Sequence, residues 1–186
     1  MERIVSLSPA ATDLIFALGR DEQLVGVTHR YDLPKRHVAR VLTQPRLNGH
    51  KVQGASPEEL VAAYLTEDAL NLEKLKGLKP SLVIADHLDQ RPANVTDDQL
   101  AEALHQVTNT GVQLAFLESN SLEEALVVQE EIGRLLGRTQ EAQHLVEKAR
   151  KTIAFYRDKI DPLLDGRLRE RTAKKPRVAA INSLKP

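Results

Sequence analysis

The residues best suited to chemistry fall in four short polar stretches. His29 lies in Thr28-His29-Arg30-Tyr31-Asp32, His87 in Asp86-His87-Leu88-Asp89. A neutral imidazole beside a carboxylate such as Asp32, Asp89 or Glu118 can ligate a zinc-like ion, with His29 and His87 as the candidate metal ligands, or relay a proton. Both histidines also read as plain rim residues, and spacing alone assembles no catalytic group. Ser8-Pro9-Ala10-Ala11, at the expected start of a helix, offers backbone amides to an anionic or carbonyl group, or simply caps the helix. Tyr31 has an aromatic face to offer a ligand; Phe16, Tyr64, Phe116, Phe155 and Tyr156 fit packing positions. His37, His50, His105 and His144 sit in polar or helical contexts and carry no such weight. The sequence contains no G-x-x-x-x-G-K, G-x-G-x-x-G, G-x-S-x-G or H-E-x-x-H, so nucleotide binding, a nucleophile elbow and zinc-protease chemistry all lack a motif.

The elements around these stretches alternate between two periodicities. Ile4 to Leu7 is a short apolar run followed by Ser8 as an N-cap, Pro9 at the first helical position, and Ala11, Leu14, Ile15 and Leu18 on one helical face that Gly19 stops. Leu24 to Val27 reads as a second strand, and Ala39 to Leu42 as a short third. Arg46 to Ala55 reads as a loop. Ser56-Pro57-Glu58-Glu59 opens a helix with both halves of a capping box, with Leu60, Val61, Ala63 and Tyr64 facing inward. Leu72 to Leu78 fits a short helix that Lys79-Pro80 ends. Leu82 to Ala85 is the clearest strand, and its continuous apolar character fits burial on both faces of a parallel sheet. Thr96 with Gln99 and Ser121 with Glu124 cap two more helices, with a strand at Val112 to Phe116 between them and Gly137 after the second. This order implies βαβ crossovers. In an open parallel sheet, ligands bind beyond the carboxyl ends of the strands. That rule gathers Ser8–Thr12, Thr28–Asp32, Asp86–Gln90 and Glu118–Asn120 onto one edge as a polar rim.

A longer helical pattern follows from Thr139 to Leu164. Ala142, Leu145, Val146, Ala149, Ile153, Tyr156, Ile160 and Leu163 or Leu164 recur at helical steps, Thr139 is placed to cap its start and Gly166 to close its end. Short similar segments stand near both ends of the chain, Arg3-Ile4-Val5-Ser6-Leu7-Ser8-Pro9 and Arg177-Val178-Ala179-Ala180-Ile181-Asn182-Ser183. Read as a repeat, they make the long helix a connector between one α/β unit and the first strand of a second.

At 186 residues the chain has room for one full core and an extension. Lys plus Arg and Asp plus Glu balance at 26 each, so no net field favours nucleic acid or an anionic membrane. Aromatic residues make up only 3%, which argues against a stacking surface for nucleic acid. Without cysteine there is no disulfide framework, thiolate nucleophile or cysteine-ligated metal. No stretch approaches the roughly 20 apolar residues of a membrane span. Arg167, Arg169, Arg171, Lys174 and Lys175 read as a basic, solvated tether.

Three stretches carry a family resemblance: R-I-V-S-L-S-P-A-A-T-D-L-I-F-A-L-G, L-V-G-V-T-H-R-Y-D-L-P and L-K-G-L-K-P-S-L-V-I-A. The chain resembles the amino-terminal lobe of ABC-transporter substrate-binding proteins of the cobalamin and iron–siderophore type. It is most like the cobalamin-binding-protein branch, which also has a longer insertion where this chain runs from Thr43 to Leu72. The resemblance implies a three-layer α/β/α lobe with a mainly parallel sheet over residues 1–138. A long interlobe helix over 139–166 would follow, then a linker and the first strand of a missing second lobe over 167–186. By motif position Ser8, Pro9, Ala10, His29, Arg30, Tyr31, Asp32, Asp86, His87 and Asp89 would line the ligand cleft, for binding and not for catalysis. The branch often has cysteine before Asp-Tyr-Pro where this chain has Tyr31 before Asp32-Leu33-Pro34, and Gln-Asp-Leu-Cys where this chain has Asp86-His87-Leu88-Asp89. The implied ligand is a corrinoid (cobalamin) or another metal chelate, the implied partner an ABC permease, and the implied location periplasmic or extracytoplasmic. The first twenty residues show no leader pattern, so cytoplasmic residence is the alternative. A bare zinc-like ion and an open α/β enzyme are the alternative functions, and self-association through Val178–Ile181 is a further expectation.

Overall fold

The computed structural model describes residues 2–30, 41–44, 56–66, 68–87, 91–92 and 94–170, with side chains as far as residue 159 except at Gln44. Tyr31, Asp32, Asp89, the expected loop 46–55 and the expected strand 178–181 lie outside the described residues.

Strand β1 (Ile4–Ser6) leads directly into helix α1 (Pro9–Ala17), because Ser8 is extended and its Oγ accepts the Ala11 N–H at 3.3 Å while Pro9 fills the first helical position. Gly19, at φ 65°, ends that helix as expected. A single 3₁₀ turn, Asp21–Gln23, precedes strand β2 (Leu24–Val27). Of the third expected strand, Ala39 and Arg40 lie outside the described residues. Val41 bridges Val27 in parallel, and strand β3 (Thr43–Gln44) instead pairs antiparallel with strand β4 (Ala69–Leu70). Two-residue strands have no periodicity, so nothing in the sequence pattern marks them.

Helix α2 (Pro57–Tyr64) carries the full capping box of Ser56 and Glu59, and helix α4 (Asp97–Thr108) that of Thr96 and Gln99. Between them come helix α3 (Leu72–Leu78) and strand β5 (Leu82–Asp86). After strand β6 (Gln113–Leu117), helix α5 (Leu122–Leu135) begins with Ser121 Oγ accepting the Glu124 N–H. The Glu124 carboxylate takes the Asn120 N–H at 2.7 Å. Gly137, at φ 63°, follows this helix.

The main sheet has the order β2-β1-β5-β6, and every pairing in it is parallel. Val5, Leu7, Val83 and Ala85 pack with Val61 of α2 and Leu65 just past it, Leu75 of α3 and Ala103, Leu104 and Val107 of α4. Ile4, Leu82 and Ile84, of opposite parity, are buried as well, so the sheet is covered on both faces, as near-continuous apolar strands require. Helices α1 and α5 bury Leu14 and Ile15, and Leu126 and Ile132. Arg20, just past α1, donates from Nε and Nη2 to the Leu136 carbonyl at 2.9 and 2.6 Å and so ties the end of α5 back to it. The result is the expected α/β/α lobe.

Helix α6 (Thr139–Glu170) is longer than its pattern suggested. Thr139 is the first helical residue, one position inside the expected cap, and Arg138 supplies the carbonyl for the Ala142 N–H. Gly166 does not end the helix, since a glycine inside a helix costs only about 1 kcal/mol and a long helix tolerates one. Pro162 also lies within it, where the missing N–H forfeits one backbone bond. Ala142 and Val146 are buried as the stripe predicts, but Phe155 and Tyr156, expected to pack, are 52% and 56% exposed. The chain divides into two compact units, Met1–Gln143 and His144–Pro186. Among the described residues no helix is long and apolar enough to cross a membrane.

Candidate functional site

In this sheet, β1 and β2 run off in one direction and β5 and β6 in the other, so the order of connection reverses between β1 and β5. Ligands of open α/β sheets bind beyond the carboxyl ends at such a reversal. The ladders extend one residue past the strands: Thr28 N–H donates to Ser6 O at 3.0 Å, Leu7 N–H to Ile84 O at 2.8 Å and His87 N–H to Leu117 O at 3.3 Å. Those bonds fix where each loop leaves the edge.

At the end of β1 the residues face inward. Ser6, Ser8 and Thr12 are wholly buried. Ser6 Oγ donates to the Ser8 carbonyl at 2.8 Å, and Thr12 Oγ1 lies within hydrogen-bond reach of both Ser6 Oγ (2.8 Å) and the Ser8 carbonyl (2.9 Å). Since the Ser8 hydroxyl is occupied by capping, Pro9 and Ala10 are the parts of this loop that reach solvent.

At the end of β2 the sequence reading is incomplete. Thr43 Oγ1 accepts the His29 N–H at 2.9 Å, lies 2.8 Å from His29 Nδ1 and is 3.2 Å from Thr28 Oγ1. Arg30 grips Asp68 with two prongs, Nη2 to Oδ1 and Nε to Oδ2, both at 2.9 Å. Asp68 is 4% exposed, Arg30's side chain is about half exposed, and His29 Nδ1 lies 3.6 Å from the same carboxylate. Two parallel N–H···O bonds to a carboxylate form the strong, orientation-specific version of this pair. Neither Thr43 nor Asp68 was a candidate. One opens an unpatterned two-residue strand and the other sits in the polar run Thr66-Glu67-Asp68, so no sequence signal singled them out.

At the end of β5, His87 meets Arg91 and Phe116. Arg91 Nη2 lies 2.5 Å from His87 Nε2, its guanidinium carbon stands 5.2 Å from the centre of the Phe116 ring, and Nη1 pairs with Asp97 at 2.6 Å. A guanidinium can only donate, so Nε2 accepts and the ring proton sits on Nδ1. The His87 ring meets Phe116 edge to face at 5.9 Å. Asp86, half-buried, ends the strand, and Glu118, Ser119 and Asn120 are exposed beyond β6. Phe116, expected as packing, thus also carries the Arg91–His87 cluster. His105, given no functional weight, bonds the Val112 carbonyl at 2.5 Å and is structural.

His29 and His87 leave from β2 and β5, which flank β1, so their backbones are about two strand spacings, or ~10 Å, apart. Among the described residues no three His, Cys, Asp or Glu side chains gather as a metal site. Among the described residues the edge carries two arginines, two imidazoles and one aromatic ring beside the carboxylates of Asp68, Asp86 and Glu118, an arrangement suited to a polar or conjugated ligand.

A family model described as periplasmic binding protein matches residues 4–167. The chain belongs to that family. That description is of a binding protein and not of an enzyme, which speaks against the open α/β enzyme. Among solved structures, the chain is similar to the periplasmic heme-binding protein RhuT from Roseiflexus sp. RS-1, with 27% identity, 84% of this chain and 49% of that one covered and a TM-score of 0.53. It is similar to the periplasmic heme-binding protein HutB of Vibrio cholerae, with 25% identity, 82% and 48% covered and a TM-score of 0.55. The petrobactin-binding protein YclQ from Bacillus subtilis shares the fold at 13% identity, with 87% and 48% covered and a TM-score of 0.53. The chain therefore spans about half the length of the structures it matches. No curated protein matches its sequence.

Proposed function

We propose that this chain is one lobe of an ABC importer's substrate-binding protein, that its ligand is a metal chelate of the corrinoid, heme or siderophore kind, and that the carboxyl edge of the sheet is its half of the cleft. Residues 139–166 of the long helix are then the interlobe connector, and the full protein works outside the cytoplasm and delivers its ligand to a membrane permease. The observation that carries this reading is the pair of arginine-bearing clusters on that edge, Arg30 with Asp68 at the end of β2 and Arg91 with His87, Phe116 and Asp97 at the ends of β5 and β6. Guanidinium groups suit the carboxylates of such chelates, and a ring flanked by a cation suits a conjugated macrocycle.

A cleft normally buries about 70–90% of its ligand, and one wall supplies only part of that. The chain alone should therefore bind weakly. Calorimetric titration with cyanocobalamin, hemin and ferrichrome, after elemental analysis of the same sample, tests the reading. The expected result is weak binding of one of the three that is reduced in His87→Ala and unaffected by chelators. Sub-micromolar cyanocobalamin binding by the lone chain would contradict the half-cleft account, and a bound zinc-like ion released by replacing His29 and His87 would replace the chelate with a bare cation.

A further inference from the structure

The buried carboxylate of Asp68 and the hydroxyl of Thr43 belong to the short β3–β4 ribbon region, outside the main sheet, yet both reach the end of β2. We propose that Asp68 and Thr43 are positioning residues of the binding edge: they hold Arg30 and His29 in the orientation in which a ligand meets them. The proposal rests on the reading of this edge as a ligand wall.

The ribbon register, Thr43 opposite Leu70 and Gln44 opposite Ala69, places Asp68 immediately before β4 and so beside the strand that carries Thr43. The backbone of Asp68 is itself pinned, its N–H donating to Thr66 Oγ1 at 3.2 Å, with Thr66 5% exposed. The carboxylate is 4% exposed and takes both prongs of Arg30, whose backbone N–H in turn bonds Thr28 Oγ1 at 3.2 Å. Thr43, wholly buried, meets both the backbone and the ring of His29.

A pair of this kind is a poor way to gain stability. Burying a carboxylate against an arginine costs desolvation that the attraction often only offsets, and apolar residues of the same volume serve as well. What the contacts do supply is direction: the fork fixes Arg30 and Thr43 fixes His29, which lowers the ordering cost of binding. Thr43 and Asp68 consequently set the aim of His29 and Arg30, and other residues at those two positions would present a different pair to the ligand.

The full chain tests this with two readouts. In ¹⁵N-labelled protein the Arg30 Nε–H signal should be protected from exchange; in Asp68→Asn that protection should be lost while the amides of Ile4–Ser6 and Leu82–Asp86 keep their shifts. Affinity for whichever of hemin, cyanocobalamin or ferrichrome binds should fall about tenfold in Asp68→Asn, the scale of one rotamer-rich side chain set free. In an Arg30→Leu background the same substitution should cost nothing more. Survival of the Arg30 signal in Asp68→Asn, or a further tenfold loss on top of Arg30→Leu, would overturn the assignment. If Asp68→Asn does not fold, Thr43→Val carries the test: the His29 ring signals should broaden with Arg30 unchanged, and sharp, unshifted His29 signals would refute it. If the wild-type chain binds none of the three probes, the ligand reading fails by itself, and the signals of Arg30 and His29 still decide whether the ribbon orients them.

Discussion

Gly133 and Gly77 both sit near the ends of helices, and the structure assigns opposite signs to the same substitution at the two sites. A Cβ added at Gly133 of α5 would run into the Cβ of Ala142 in the first turn of α6, closer than any real contact, and would lie 3.4 Å from the Arg138 carbonyl. Neither obstacle is the far end of a flexible side chain, so the two helices would have to separate. A Cβ at Gly77 of α3 meets nothing within 4 Å. In both cases alanine improves helix propensity by up to about 1 kcal/mol, less near a helix end. At Gly133 overpacking opposes this with roughly 1–3 kcal/mol, so Gly133→Ala should lose about 1–2 kcal/mol net, whereas Gly77→Ala should gain about 0.5 kcal/mol. For a chain of this size that is a drop of about 2–8 °C in Tm against a rise of about 1–2 °C. Chemical denaturation and calorimetry of the two variants provide the measurement. The rescue is specific: Ala142→Gly in the Gly133→Ala background should recover most of the loss, because it removes the opposing methyl. A Gly133→Ala protein as stable as Gly77→Ala would refute the α5–α6 contact, and a loss that Ala142→Gly leaves untouched would place the strain elsewhere.

Other outcomes follow from single contacts. Arg20→Met removes both donors from the buried Leu136 carbonyl and should cost about 1–3 kcal/mol in denaturant unfolding; Arg20→Lys should recover part of it. Ser8→Ala deletes the α1 cap and should cost about 1 kcal/mol, measured the same way. A backbone N–H in the first turn of α6, and then Arg138, hold the Glu141 carboxyl below its usual range against a smaller opposing effect of burial. A carboxyl lowered on folding stabilises the folded state above its unfolded value and loses that contribution as pH falls through the folded one. The acid limb of a pH–stability curve should therefore flatten in Glu141→Gln, and an unchanged limb would count against the interaction. Lys151, bonded at 2.7 Å, lowers Glu147 in the same sense, and Glu147→Gln should reduce the protection of α6 amides only above the carboxylate range.

The elements that the sequence predicts well are those whose signals are local. Ser8-Pro9, the boxes at Ser56 and Thr96, the Ser121 cap and the glycines at 19 and 137 each act within one turn, and each stands where its pattern put it. Leu82 to Ala85 announces a doubly covered strand because every residue in it is apolar. The failures are non-local. Thr43 and Asp68 meet His29 and Arg30 across gaps of 14 and 38 positions, respectively, and no periodicity encodes a contact of that kind. The far part of α6 fails differently: Phe155 and Tyr156 continue an amphipathic pattern that the described residues do not cover, so the pattern records a buried face without saying what buries it.

Among the described residues, the polar side chains of this edge are held by internal partners. Arg30 is spoken for by Asp68, His29 by Thr43, and Arg91 by His87 and Asp97. Each group therefore loses little freedom on binding, but each must also share its charge with an internal partner, which limits what one contact adds. A ligand that met only this wall would exchange water for half-committed donors and keep most of its own surface wet. Charged pairs that are weak in water strengthen as solvent is excluded, so on the proposed reading the same side chains would hold a ligand strongly only when a second surface closed over them. Such an edge would discriminate by geometry while open and by energy when covered, as a carrier that must also release what it binds would require.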